Sequence, residues 1–329
     1  MSYEEFFNLR EQAFSNAPDG RYYFNSSQHS EALLRLKHAV RSNGGLAVLI
    51  GDIGAGKTTL ARRLLDELDE RLCESALLVV VHSSITAEWL LRKVAAQLGV
   101  EQVPDGRIEI LAAIYQRLLA IREEGRTAVV LIDEAQMLQS RELMEEFRGL
   151  LNLELPAHKL VTFVFFGLPT LDETLALDEP LKQRVALRYR LSAMNLESTA
   201  AYIHHRLRVA GGGEREIFRP EAVALVHRHS RGIPRLINVI CDNCLFEAFL
   251  VKKEHIDAAV VDDVARDLGL ISAGQVSGRG PVAAGQAGQP PARPASGGSG
   301  QAPERRRADN LLSKDELESL GLLHEFGGG

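Results

Sequence analysis

Cysteine is scarce in this 329-residue chain. Cys73, Cys241 and Cys244 are the three, too few for a disulfide framework and in keeping with a reducing cytosol. Long hydrophobic runs are missing too. No stretch approaches the roughly 20 apolar residues that a membrane-spanning helix needs, so no membrane span is expected. The acidic start, Met1-Ser2-Tyr3-Glu4-Glu5, lacks the apolar centre of a secretory signal, which points to a cytoplasmic protein. The third absence is an excess of positive charge: the formal net charge is −6. From residue 271 onward acids and bases balance at six each, so the acidic excess lies in residues 1–270. Nucleic-acid binding normally leaves a basic footprint, so DNA is not favoured as a partner, although a local basic patch stays compatible with this balance.

What is present is enough for two ordinary domains and a tail. The hydrophobic fraction of 45% and charged fraction of 25% are those of a globular chain with a sizeable core. Before residue 271, short unalternated apolar runs at Leu46–Ile50, Leu77–Val81, Ala128–Ile132 and Val161–Phe166 read as strands buried on both faces. Helical patterns at Lys57–Leu68, Ala87–Leu98, Ile108–Glu124 and Glu142–Leu151 separate them, which predicts an α/β fold with a parallel sheet. Residues 1–193 would form this core and 194–270, where strand patterns stop, a smaller all-helical domain. Residues 271–304 are rich in Gly, Pro, Ala, Ser and Gln and predict a flexible, disordered linker of roughly 30 Å span. Residues 305–329 carry a capping box at Ser313-Lys314-Asp315-Glu316 before a leucine-rich stretch ending at Phe326, the pattern of a short C-terminal docking helix.

Gly51-Asp52-Ile53-Gly54-Ala55-Gly56-Lys57-Thr58 matches G-x-x-x-x-G-K-[ST] in full, with an apolar strand before it and a helical pattern after. Such a loop points its backbone N–H groups, with the helix N-terminus behind them, at the phosphates of a nucleoside triphosphate, ATP being expected. Residues 51–59, including Thr59, are the expected nucleotide contacts. Lys57 would reach the β- and γ-phosphates, and the Thr58 hydroxyl would ligate Mg²⁺. Val129-Val130-Leu131-Ile132-Asp133-Glu134 ends a buried strand in two carboxylates. On a strand adjacent to the loop strand, Asp133 would sit at the Mg²⁺ and Glu134 could polarise the attacking water, giving an ATPase.

These motifs resemble those of the AAA+ ATPases, in the group typified by general secretion pathway protein A (ExeA-type), related to transposition helper and origin-recognition ATPases. The resemblance covers residues 3–268 and rests on Tyr3-x-x-Phe6-Phe7, the loop at 51–58, Asp133-Glu134-Ala135-Gln136 and Leu151-Asn152-Leu153-Glu154. It continues through Gln183-Arg184-x-x-x-Arg188-Tyr189, Tyr202-Ile203-x-His205-Arg206-Leu207 and Gly232-Ile233-Pro234-Arg235-Leu236-Ile237-Asn238. It implies a P-loop core under a helical lid and an ATP-dependent homo-oligomer. It also implies a lid arginine at the γ-phosphate, Arg235, and an arginine inserted into a neighbour's site, Arg184 or else Arg188. A nucleotide-switched assembly factor acting on protein partners, in secretion or envelope biogenesis, is the expected function. The alternative is a DNA-binding helper of the transposition type.

One departure stands out. The family pattern Gly-Gln-Pro-Glu-Leu after the fourth strand reads here Gly167-Leu168-Pro169-Thr170-Leu171, and Leu168 cannot orient a water. Hydrolysis would be slow, or Thr162 or Asn152 would substitute. The membrane span and peptidoglycan-binding domain of larger members are not recognisable, so no cell-wall role is expected. Tyr22-Tyr23-Phe24 either stacks on the base or packs in the core. Cys241-x-x-Cys244 is read as core, and His204-His205 and His227-x-His229 as solvated helix residues. The arginines of 194–270, Arg206 among them, are read as a solvated mixed-charge surface, since ten bases there meet eleven acids.

Overall fold

The apolar runs near 46–51, 127–133 and 161–167 form the three inner strands of a five-stranded sheet. The structure, a computed structural model, describes residues 2–156, 158–213 and 215–271. The expected linker and docking helix, beyond Ile271, lie outside the described residues. The strands are β1 (Leu46–Gly51), β2 (Cys73–Val79), β3 (Thr127–Asp133), β4 (Glu154–Leu155), β5 (His158–Lys159), β6 (Val161–Gly167) and β7 (Val185–Leu191). The sheet order is β2-β3-β6-β1-β7 with every neighbouring pair parallel, while β4 and β5 make a separate hairpin.

Three of the four expected strands fall where the apolar runs put them; β2 starts and ends earlier than Leu77–Val81. The expectation of a loop strand adjacent to the Asp133 strand is corrected, because β6 lies between β1 and β3. The fifth strand, β7, was missed. It is an edge strand whose exposed and half-buried positions alternate through Val185-Ala186-Leu187-Arg188-Tyr189-Arg190, so it lacks the continuous apolar run of a doubly covered strand.

The helices are α1 (Tyr3–Phe6), α2 (Ser27–Arg41), α3 (Lys57–Glu67), α4 (Ala87–Gln97), α5 (Arg107–Glu123), α6 (Arg141–Leu151), α7 (Leu171–Leu175), α8 (Glu179–Lys182), α9 (Leu196–Val209), α10 (Pro220–Ser230), α11 (Pro234–Leu250) and α12 (Ala258–Asp267). Successive side chains of β1 point to opposite faces. Leu46, Val48 and Ile50 pack with α4, α5 and α6, whereas Ala47 and Leu49 pack with α2 and α3. In α6, Leu143, Met144, Phe147, Leu150 and Leu151 make one apolar stripe, and Ser140 caps the helix by accepting from Leu143 N–H.

Helices α9 to α12 bury a core of their own, and the N-terminal segment packs into it through Phe7, Leu9, Phe14 and Tyr22. The expected division at residue 193 therefore cuts across this cluster. Arg206 explains the attachment and corrects its reading as a solvated residue: it is 5% exposed. Its guanidinium donates to Ala13 O (2.6 Å), Ser15 O (2.8 Å) and the Tyr202 hydroxyl (2.9 Å), with the Tyr22 ring 4.6 Å away. Each of those acceptors would cost about 1–3 kcal/mol if left buried and unpaired, so Arg206 is a strut, and counting charges along the sequence could not reveal it. His205 and His227 are likewise half-buried, His205 against Phe24 (5.6 Å between rings) and His227 bonded to Thr199 (3.0 Å). Cys241 and Cys244 are buried in the core, as expected, and burial raises both thiols.

Gly232 fixes how α11 begins. Its φ is +72°, and a Cβ there would lie 2.0 Å from Met194 O, while its own carbonyl accepts from Met194 N–H (2.9 Å). Gly232→Ala is expected to cost about 3 kcal/mol or more, combining left-handed strain with a backbone clash. Urea unfolding of both proteins checks this, and a loss under 1 kcal/mol, the order of an ordinary surface change, would refute it.

Candidate functional site

Gly51, the last residue of β1, opens the loop, and Lys57, the first of α3, closes it. The loop turns back through Gly54 (φ +79°) and Gly56 (φ +99°), conformations that side-chain-bearing residues rarely adopt. Both also leave no room for a side chain: a Cβ on Gly54 would meet Arg235 Cβ at 2.7 Å, and one on Gly56 would meet His29 Nε2 at 3.0 Å. The unpaired amides of the first turn of α3 point out of this loop, the local field that favours a bound anion. Lys57 is 5% exposed, and its ammonium donates to Gly51 O (2.9 Å) and Asp52 O (3.0 Å). Burial pulls its pKa below the usual lysine value, against the opposing pull of Glu134, Asp133 and Asp52.

Asp133 ends β3 on the same edge of the sheet and is 1% exposed. Its Oδ1 accepts from Glu134 N–H (3.0 Å), while its Oδ2 is buried without a hydrogen-bond partner. Burial pushes the carboxyl up, and the facing Thr58 hydroxyl and the Glu134 amide pull it down. A buried carboxylate oxygen lacking a donor, beside a hydroxyl, is a donor set that suits a hard divalent cation. Thr58 and Asp133 thus fit Mg²⁺. No cluster of three or more His, Cys, Asp or Glu ligands exists among the described residues. Mg²⁺ does not require one, since it keeps several waters and takes phosphate oxygens.

Glu134 follows in the left-handed region (φ 55°, ψ 37°), a strained backbone of the kind that clusters at functional sites. Its Oε2 accepts from Gln136 Nε2 at 2.6 Å, and the other end of that amide, Oε1, accepts from Leu168 N–H at 3.0 Å. The two substitutes considered for Leu168 are elsewhere, which corrects that expectation. Thr162 lies at the start of β6 and donates to Asn43 Oδ1 (3.0 Å), and Asn152 is exposed at the end of α6.

These residues line a cavity of about 720 Å³, large enough for a nucleotide. The structure brings Ile53, Gly54, Gly56, Lys57, Thr58, Thr59, Glu134 and Arg235 to it from the sequence-derived set. Asp133 lies just beneath, its reach across β6 made by the shared carboxyl edge of the strands. Arg235 enters on the first turn of α11, and its N–H donates to Gly54 O (3.3 Å), so the helical part rests directly on the loop.

Away from the loop, Tyr22, Tyr23 and Phe24 all line the cavity. Tyr23 lies beneath the Arg63 guanidinium (5.4 Å) and edge-on to His29 (6.4 Å), while Phe24 also packs on Tyr202. His29, Asn16, Arg63 and Asn238 are cavity residues that the sequence did not single out. His29 is buried under Gly56 with Nδ1 2.7 Å from Ser26 Oγ, and burial lowers its pKa. Asn238 donates to Asn16 Oδ1 (3.0 Å) and accepts from the Tyr202 hydroxyl (2.8 Å), joining the N-terminal segment to α11. Only the spacing from Arg235 to Asn238, one turn apart on α11, could have hinted at it.

Arg184 and Arg188 stay outside the cavity. Val185 pairs with Leu46 at the start of β1, so Arg184 sits about 17 Å along the sheet from Gly51. Its Nη1 donates to Arg148 O (3.4 Å), and Arg188 pairs with Asp172 (3.0 Å).

A family model described as an AAA domain matches residues 40–175, from the end of α2 through α7. General secretion pathway protein A of Aeromonas hydrophila is 38% identical over 250 residues, which are 75% of this chain and 45% of that protein. An uncharacterized HTH-type transcriptional regulator of Methanocaldococcus jannaschii is 27% identical over 157 residues, 46% of this chain and 37% of that one. The chain therefore spans less than half the length of these relatives. Among solved structures, Drosophila ORC bound to DNA is similar with a TM-score of 0.59 at 18% identity, covering 83% of this chain and 67% of that one. The ORC2 protein of Aeropyrum pernix in its ADPNP-ADP complexes gives 0.58 at 16% identity, covering 78% and 71%. At such identities these structures speak for the fold alone. A parallel sheet carrying a complete phosphate loop, a helical layer seated on that loop and this sequence likeness put the chain in the AAA+ nucleotide-binding family, in the group typified by general secretion pathway protein A.

Proposed function

We propose that the protein binds ATP with Mg²⁺, hydrolyses it, and uses its nucleotide state to switch the assembly of protein partners in the cytoplasm, in secretion or envelope biogenesis. The observation that carries this reading is the buried Asp133 carboxyl beside the Thr58 hydroxyl at the phosphate loop, with its Oδ2 lacking a hydrogen-bond partner. Thr58 and Asp133 would hold the ion, which supplies charge neutralisation at the β- and γ-phosphates. The backbone amides of residues 51–59 cradle the phosphates. Lys57 exchanges its two carbonyl acceptors for phosphate oxygens, a trade that restores the counter-charge its buried ammonium lacks. Glu134 accepts a proton from the attacking water, and Arg235 contacts the γ-phosphate from α11. The tyrosines and Arg63 surround the base.

Arg184 lies too far from its own chain's loop to reach it, which supports delivery into a neighbouring copy and hence a homo-oligomer. The likeness to general secretion pathway protein A supports a protein partner in secretion. Residues 305–329, by their capped leucine-rich sequence, are the docking peptide for it.

Lys57→Ala is expected to lower kcat/KM for ATP by about 100-fold or more. Glu134→Gln should cut kcat by about 100-fold while ATP affinity holds, since it removes the base and leaves the phosphate contacts. Steady-state turnover and ATP titrations check both, and abundant turnover by Lys57→Ala would sink the site assignment. Turnover per chain should rise with protein concentration and fall about 100-fold or more in Arg184→Ala. Turnover independent of concentration would remove the trans arrangement. In gel shifts between about 50 and 200 mM salt, no ATP-dependent retention of duplex DNA is expected; retention with a steep salt slope would favour the DNA helper instead.

A further inference from the structure

The position that the family pattern fills with glutamine after the fourth strand is Leu168, whose side chain has no polar atom. Its backbone N–H, however, is met by a polar side chain from the neighbouring strand end. Gln136, on the short 3-10 turn Ala135–Met137 after β3, is 6% exposed and aims its amide across to the end of β6. Both ends of the amide are used. Oε1 accepts from Leu168 N–H (3.0 Å), and Nε2 donates to Glu134 Oε2 (2.6 Å). The reverse orientation of the amide would set donor against donor at Leu168 and acceptor against acceptor at Glu134, so the network fixes one flip.

A second feature makes room for this amide. Gly167 is the last residue of β6, and a Cβ there would stand 3.0 Å from Gln136 Oε1 and 2.9 Å from Leu171 Cδ2. Its backbone has no left-handed φ that would call for glycine, so space is what the residue provides. The Gln136 main-chain carbonyl is also met by the Thr174 hydroxyl (3.5 Å), which anchors the turn to α7. Gly167 gives the space, Leu168 the donor and Glu134 the acceptor.

We propose that Gln136 is a positioning residue for Glu134. It ties the orientation of the Glu134 carboxylate to the end of β6 through the Leu168 amide. The inference rests on the reading of Glu134 as the group that accepts the water's proton. With Nε2 holding Oε2, the Oε1 of Glu134 is left for the water, in a cavity that Glu134 and Leu168 both line.

The test uses the full chain and two substitutions that separate the ends of the amide. Gln136→Glu keeps an oxygen to accept from Leu168 N–H and replaces the donor to Glu134 by a second carboxylate. Gln136→Ala removes both. A positioning role predicts that both variants lose about 10- to 100-fold in kcat, with the Kd for ATP within about twofold of the unaltered protein. Turnover is measured below the thermal unfolding of both variants, since the second buried carboxylate of Gln136→Glu lowers stability. In a Glu134→Gln background, neither substitution should lower the residual turnover further, because the group being positioned is already gone. If the unaltered protein turns over ATP and Gln136→Glu keeps its kcat, the tie to Leu168 is the whole role of Gln136, and the positioning inference is overturned alone. If the unaltered protein shows no turnover at any concentration, the hydrolytic reading falls, and this inference with it.

Discussion

The contact on which the rest of the site depends is the seating of α11 on the phosphate loop. Arg235 N–H meets Gly54 O, Arg235 Cβ stands where Gly54 would carry its own, and Ile233 closes the other side. A loop of glycines has little to hold it in shape, since every glycine adds conformational freedom to the alternatives. Here three supports do so: α3 behind the loop, His29 beneath Gly56, and α11 above Gly54. Two of the three come from outside the motif. The site is thus a product of two packed cores, one under the sheet and one among α9 to α12, whose surfaces meet at a backbone that has no side chains to intervene.

Charge works in the same direction. A lysine 5% exposed and an aspartate 1% exposed, each shifted by burial toward its neutral form, are costly to bring together without a partner. Their hydrogen bonds compensate incompletely, since one oxygen of Asp133 has no donor. Burying either charge opposes folding, and a triphosphate with its cation relieves both costs at once. On the proposed reading, binding the triphosphate and its cation therefore stabilises the fold, increasingly so as their concentration exceeds Kd. Arg206, a buried strut, fixes the N-terminal segment that walls the cavity to α9.

How much of this was legible in the sequence follows from which forces act locally. Strands β1, β3 and β6 and helices α3 to α6 declared themselves because burial on one or both faces imposes a pattern within ten residues. The phosphate loop and Asp133-Glu134 were legible because their chemistry demands fixed residue types at short spacing. Strand β7 was not, since an edge strand keeps half its side chains in water. Arg206 was misread because its partners, Ala13 and Ser15, are about 190 residues away, and composition weighs charges without knowing which are buried. His29 gave no signal because the loop glycine it underlies is distant in sequence, and Asn238, though within the quoted Gly232–Asn238 run, has its partner Asn16 far away in the N-terminal segment. Gln136 was in view, within the quoted Asp133-Glu134-Ala135-Gln136, yet its role needed the strand order. Only the placement of β6 directly beside β3 puts Leu168 within reach of it.

That strand order also bears on how one molecule could sense another. Because the strands are parallel, all their carboxyl ends gather at the nucleotide cavity and all their amino ends at the far edge. Arg184 precedes β7 and so belongs to the far edge, beside Arg148, whose guanidinium holds the buried Asp178 (3.0 Å). Asp178 in turn caps the N-terminus of α8 by accepting from Leu181 N–H (2.8 Å), which sets where the short helix leading to Arg184 begins. The same α6 that carries Arg148 packs on β6 through Phe147 against Phe163 and Phe165, with ring centroids 5.1 and 4.8 Å apart. Strand β6, buried throughout its length, thus joins the end where Gln136 is tied to the part that packs on the helix bearing Arg148. On the proposed reading, the end of the sheet that meets nucleotide and the end offered to a neighbour are the two termini of the same strand.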